Sequence, residues 1–243
     1  MKTFANVSSP RRLNYLRVTA TKMNPVLLLH GALGGKAQLN AIKQKLEEHG
    51  RIVYSMNFSG HGGVSFSASG FGIEVFGEDV LHFMDSNSIA TIDIFGYSMG
   101  GYVALWVAHL QPHRVGRIAT LGTKFDWSIE SAEKEVRKLD PDKIMAKVPA
   151  FARILESRHH PIDWKDLLMK TSQMMMQLGI SPLLTEDILR SIKTPSAIFL
   201  GDKDDMADRS YSERVAKLLP SGEFHFLHDT AHPIEGVNFI PFV

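Results

Sequence analysis

Residues 91–107 read Thr91-Ile-Asp-Ile-Phe-Gly-Tyr-Ser98-Met-Gly-Gly-Tyr-Val-Ala-Leu-Trp-Val107, and the order of their chemistry decides the fold. A β-branched, apolar run passes through Gly96-Tyr97-Ser98-Met99-Gly100-Gly101 into a helical pattern. Small residues two positions either side of the serine let a strand and a helix approach without clash. The tight turn then projects the Ser98 hydroxyl toward the strand ends and aims the amide of Met99 into the same space. A bare Gly-x-Ser-x-Gly spacing is weak by itself. Its position between a strand and a helix makes it specific, and points to a nucleophile rather than to a turn that serves packing alone.

The same rhythm extends outward. Short aliphatic runs at 25–29, 51–56, 116–121, 196–200 and 223–227 each end in turn residues. Continuous apolar runs without alternation suit strands buried on both faces, as in a parallel sheet. Between them, 38–49, 74–85, 99–109 and 209–219 carry apolar residues at helical spacing, for example Leu39, Ile42 and Leu46. Alternating strands and helices predict an α/β fold, a mostly parallel, doubly wound sheet with ligands at the carboxyl ends of its strands.

One region breaks the alternation. From 123 to 193 the chain shows no strand pattern, only helical segments at 129–139, 141–156 and 163–178, with a break or kink at Pro149. The organisation expected is a core in two parts, 1–122 and 194–243, with 123–193 inserted between core strands as a helical lid. Trp164 and Met175 are the residues of that lid chosen to line a substrate pocket, methionine because it adapts to irregular apolar shapes. For most of the set Met169, Met174, Met175, Met176 and Trp164, packing of lid on core is the preferred expectation.

A serine hydroxyl needs a base, and the base needs an orienting carboxylate. His232, in Asp229-Thr-Ala-His232-Pro, lies in a loop after the last strand and can swing to the serine. His228, at the strand end, is second, and His225 lies inside the strand. For the carboxylate, Gly201-Asp202-Lys203-Asp204-Asp205 leaves a strand end directly. Asp204 is the first choice and Asp205 the second, against a solvated acidic turn that caps the next helix. A calcium loop fails, because Met206 and Ala207 stand where an oxygen ligand and the required glycine belong. For the oxyanion, the loop His30-Gly31-Ala32-Leu33-Gly34-Gly35 can supply the amide of Ala32, and Met99 the second. Neither a dinucleotide fingerprint nor a P-loop spacing is present, which disfavours nucleotide binding.

Taken together, these residues resemble the α/β-hydrolase superfamily. The likeness runs in order from Pro25 to Phe242: His30-Gly31, Gly60-His61-Gly62, Gly96-x-Ser98-x-Gly100, Gly201-x-x-Asp204 and Ala231-His232. It implies a Ser98–Asp204–His232 triad, choosing Asp204 by its distance from Gly201, and Ala32 and Met99 as oxyanion donors. Asn57 departs from the aspartate that many relatives carry before the Gly-His-Gly turn, a structural position. His30 and His61 are read as stabilising turns. His159 and His160 are adjacent and face different ways, so they do not form a metal chelate.

Composition bounds the partners. With 27 basic and 26 acidic residues the net charge is +1, which gives no attraction to nucleic acid. No cysteine is present, so disulfides, thiolate metal sites and cysteine nucleophiles are excluded. Residues 1–10 lack the apolar core of an export leader, and no apolar run is long enough to span a bilayer. The expectation is a cytoplasmic enzyme that needs no cofactor or metal and acts on a small molecule, a serine hydrolase of small carboxylic esters. The alternatives are a carbon–carbon hydrolase or a pyruvate-eliminating lyase of menaquinone synthesis, against which the lid carries no clear arginine cluster for a polyanionic substrate beyond what Arg153 and Arg158 could contribute, and a non-catalytic small-molecule receptor on the same fold.

Overall fold

Four aliphatic residues without a polar interruption, Val26–Leu29, form β1, and all four are buried. The structure, a computed structural model, describes residues 23–239; residues 1–10, read above for a leader, and Phe242 lie outside them. The other strands are β2 (Val53–Ser55), β3 (Ile92–Tyr97), β4 (Val115–Leu121), β5 (Ser196–Lys203) and β6 (Gly222–Ala231). They form one sheet in the order β2-β1-β3-β4-β5-β6, with every neighbouring pair parallel. The order reverses at β1, which lies between β2 and β3. That leaves a crevice beyond the carboxyl ends of β1 and β3.

The helices are α1 (Asn40–Glu48), α2 (Ile73–Ser86), α3 (Met99–Leu110), α4 (Ile129–Val136), α5 (Pro141–Lys147), α6 (Pro149–His159), α7 (Trp164–Ile180), α8 (Glu186–Ser191) and α9 (Arg209–Leu218). Strand residues alternate between two cores. Leu27, Leu29, Ile92, Ile94, Ile118 and Ile198 face α2 and α3. Val26, Leu28, Phe95, Ala119, Ala197 and Phe199 face Ile42 and Leu46 of α1. Both faces are covered, which is why the strands read as unbroken apolar runs. Each fully buried leucine, isoleucine or phenylalanine contributes about 1.5–3 kcal/mol.

At the amino end of the strands, remote from the crevice, Arg51 and Asp93 form a buried ion pair at 2.9 Å. Asn24 completes it, donating to Asp93 at 3.1 Å and accepting from Arg51 at 3.0 Å.

Helices α4 to α8 all lie between β4 and β5. Of the break or kink expected at Pro149 the structure has the break: Pro149 begins α6, with Val148 separating it from α5; proline lacks the N–H that would be unpaired at a first helical position anyway. The insertion has a small core of its own, in which Leu155, Trp164, Leu167 and Leu168 pack with Ile144 and with Leu33. Further along, Met174, Leu178, Leu184 and Leu189 join the main core. No described helix is long and apolar enough to cross a membrane.

Candidate active site

Ser98 holds φ 52° and ψ −119° between β3 and α3, a left-handed backbone that is rare for a side-chain-bearing residue. The surroundings enforce it. The Ser98 amide donates to the Leu121 carbonyl at 2.8 Å, and its carbonyl accepts from the Gly101 amide at 3.0 Å and the Thr123 hydroxyl at 2.9 Å. The glycines have no room for a side chain. A β-carbon on Gly96 would stand 2.4 Å from the Gly100 carbonyl, one on Gly100 2.4 Å from that of Leu29, and one on Gly101 2.1 Å from Thr123 Oγ1.

Asp204 and His232 come from the ends of the adjacent strands β5 and β6. Their side chains meet, Asp204 Oδ2 to His232 Nδ1, at 2.8 Å, and are only 2% and 9% exposed. Asp204 Oδ1 accepts from the amides of Met206 and Ala207 at 2.9 and 3.0 Å. Burial by itself would raise the Asp204 carboxyl, but the bonds from His232 and these amides outweigh it and hold the carboxyl below its ordinary value. Because Nδ1 is engaged, Nε2 is the ring nitrogen left for a proton transfer. Tyr97, next to Ser98, donates its hydroxyl to the His232 carbonyl at 3.0 Å. Among the described residues no hydrogen bond joins Ser98 Oγ to the imidazole, although both residues line one cavity.

The alternatives read from the sequence lie elsewhere. The His228 side chain is 91% exposed beside Asp202, and Asp205 is exposed. His225 stacks on Phe199 with ring centroids 4.6 Å apart. Further along the chain, Asp208 caps α9, accepting from the Tyr211 amide at 3.0 Å. β6 runs on to Ala231 rather than ending at Leu227, so His232 follows a strand directly. The extension is held by the Thr230 amide donating to Asp202 Oδ1 at 3.1 Å.

Met99 is the first residue of α3, so its amide has no acceptor within the helix. The Ala32 amide has no hydrogen-bond partner among the described residues, and both residues line the cavity beside Ser98. The loop carrying Ala32 is held from beneath. His30, fully buried, bonds the Gly31 carbonyl through Nδ1 at 2.8 Å and accepts from the Phe58 amide through Nε2 at 3.2 Å. His159 of α6 bonds the Leu33 carbonyl at 3.0 Å and accepts from the Gly62 amide at 3.0 Å. Burial depresses both imidazoles to about 4, more than their backbone carbonyl bonds restore, and puts His61 between them well below its ordinary value. Asn57 joins the same turn to the loop, accepting from the Lys36 amide at 2.7 Å and donating to the Gly62 carbonyl at 3.1 Å.

The cavity over Ser98 measures about 320 Å³. Its apolar wall includes Ile73, Tyr102, Trp127, Met174, Met175 and Leu178, so of the two lid residues singled out in the sequence Met175 lines this cavity. Trp164 does not. It is absent from the lining and 7% exposed within the insertion's own core, because helical periodicity marks an inward face without saying what lies across from it. Sequence reasoning passed over Tyr97, Trp127 and Phe151, and no motif marks them as site residues. Among the described residues no cluster of histidine and carboxylate side chains could hold a metal ion.

Comparison with known proteins agrees with this fold. A sequence profile described as the alpha/beta hydrolase fold matches residues 24–153. A triacylglycerol lipase of Pseudarthrobacter phenanthrenivorans is 30% identical over 153 residues, covering 56% of this chain and 46% of the lipase. One from Burkholderia plantarii matches at the same identity over 56% of this chain and 41% of its own. The chain thus spans under half the length of these curated relatives. Among solved structures, a carboxylesterase structure from Nitrososphaera gargenis superposes with a TM-score of 0.71 at 16% identity, over 87% of this chain and 85% of that one.

Proposed function

The chain belongs to the α/β-hydrolase family, and from that premise we propose that it is a serine hydrolase of small carboxylic esters or related acyl compounds. The observation that carries the reading is the buried Asp204–His232 bond at 2.8 Å, whose imidazole lines the same cavity as a strained, half-buried serine. Ser98 Oγ attacks the ester carbonyl while His232 Nε2 takes its proton, and Asp204 steadies the imidazolium through Nδ1. The amides of Ala32 and Met99, with the amino end of α3 behind the latter, receive the oxyanion. His232 then protonates the departing alcohol. Water, deprotonated by the same nitrogen, releases the acid from Ser98. The insertion serves as a lid, an assignment supported by the side chains of α7 in the cavity wall.

The test combines labelling by a fluorophosphonate with turnover of p-nitrophenyl acetate. Ser98→Ala is expected to lose both while melting at the wild-type temperature. A Ser98→Ala protein that keeps most of the turnover overturns the reading.

A further inference from the structure

Three cationic side chains line the cavity: Lys124, Lys138 and Arg158. Two of them are neutralised by their own neighbours. Lys124 Nζ lies 2.8 Å from an Asp126 oxygen, and Lys138 Nζ lies 2.8 Å from Glu135. Arg158 differs. Among the described residues no carboxylate lies within ion-pair distance of its guanidinium, whose hydrogen bond runs from Nη1 to the Leu33 carbonyl at 2.8 Å. A carbonyl takes one of five N–H donors and cancels none of the charge. Glu235, the acid whose field reaches Arg158, is held by Gln38 Nε2 at 2.7 Å.

The position of this cation relative to Ser98 is set by one short loop. Gly31 lies against Ser98, for a β-carbon there would stand 3.1 Å from Ser98 Cβ. Leu33, which anchors Arg158, is two residues further on, at most about 7 Å of chain. The arginine stem lies over Gly35, where a β-carbon would be 3.7 Å from Arg158 Cγ. The guanidinium is half-buried, and loss of water there lowers its pKa from the ordinary value. A charge kept partly out of water beside an apolar wall is best stabilised by an opposite charge that binds with the ligand. A carboxylate matches the planar fork of the guanidinium in two parallel hydrogen bonds.

We propose that Arg158 is the anion subsite of this cavity and that the substrate is a small ester bearing a free carboxylate within a few bonds of the scissile carbonyl. The apolar remainder of the molecule lies against Ile73, Tyr102, Met174 and Leu178. The ester part of this statement rests on the serine-hydrolase reading; the subsite does not.

Two measurements test it separately. In the first, 4-methylbenzoate and 4-methylbenzyl alcohol are titrated calorimetrically into the wild-type, Arg158→Gln and Arg158→Lys proteins. The carboxylate is expected to bind wild type at least tenfold more tightly than the alcohol. That preference should fall below threefold in Arg158→Gln and return in part in Arg158→Lys. In the second, kcat/KM is compared for monomethyl succinate against methyl butyrate, and for 4-acetoxybenzoate against phenyl acetate. In one pair the anionic ester is expected to be preferred at least tenfold, through KM, with the ratio collapsing in Arg158→Gln. Equal binding of the two benzyl compounds by wild type, or a preference that survives in Arg158→Gln, overturns the subsite; the wild-type comparison decides even where a variant does not fold. Absence of all ester turnover with Ser98 unlabelled overturns the hydrolase reading instead, and leaves the benzoate comparison to judge Arg158.

Discussion

A β-carbon added to Gly122 would stand 2.8 Å from Asp204 Oδ2 and 3.2 Å from His232 Nδ1, so the backbone just after β4 lies against the bonded pair. Gly122 also has φ +61°, where any side chain is strained by about 1 kcal/mol. Gly122→Ala is therefore expected to displace the carboxylate, reduce kcat on p-nitrophenyl acetate at least tenfold and lower the melting temperature by a few degrees. Wild-type kcat in that variant would contradict the contact.

Asp204→Asn is expected to cut kcat by about 10³–10⁴ with little change in melting temperature. The asparagine oxygen can keep the bonds from the Met206 and Ala207 amides, which puts its NH₂ against His232 Nδ1 and forces the wrong tautomer. The exposed Asp205 is the control, and Asp205→Asn should stay within twofold of wild type. Steady-state kinetics on both variants decides which carboxylate serves the imidazole.

Acid should weaken the fold well before the carboxylates titrate. His30 and His159 are held at about 4 in the folded protein against an ordinary 6.5. The unfolded chain therefore takes up protons first as pH falls. Stability from these groups is full above pH 6.5, declines between 6.5 and 4, and is gone below. Each drop from 6.5 to about 4 corresponds to ~3 kcal/mol. Urea unfolding at pH 7.5, 5.5 and 4.5 should show the loss, and His159→Gln should shrink it. A flat profile over that range would rule the histidines out as its source.

Asp93→Ala removes the carboxylate that balances a buried guanidinium. The Arg51 and Asp93 side chains are 5% and 8% exposed, and removal of one partner from such a pair costs about 3–5 kcal/mol. Urea unfolding should read that loss while the Km of any ester substrate, bound at the opposite end of the sheet, stays as in wild type.

The middle of the sheet was legible because strands such as β1 and β3 are buried on both faces, and an unbroken aliphatic run such as Val26–Leu29 has no other comfortable place. The Ser98 turn was legible because its glycines answer to a steric need that no other residue meets. The far end of β6 was not. His228-Asp229-Thr230 carries no apolar signal, and its strand geometry comes from pairing with β5 and from Asp202. Trp164 was misplaced for a related reason: its partners, Leu155 and Leu167, lie within the insertion. His159 was weighed only as a metal ligand, whereas its two nitrogens span two loops, a role visible only once the loops are adjacent.

The Leu33 carbonyl receives both Arg158 and His159, consecutive residues at the close of α6. That oxygen is a latch between the roof of the chamber and the strip of backbone that carries Ala32. Any hinging that lifts α6 to admit a guest must release both donors and slacken the strip. On the serine-hydrolase reading, a lifted α6 would leave the Ala32 strip without these two anchors, so the joint as it stands shut is the one that fixes that amide.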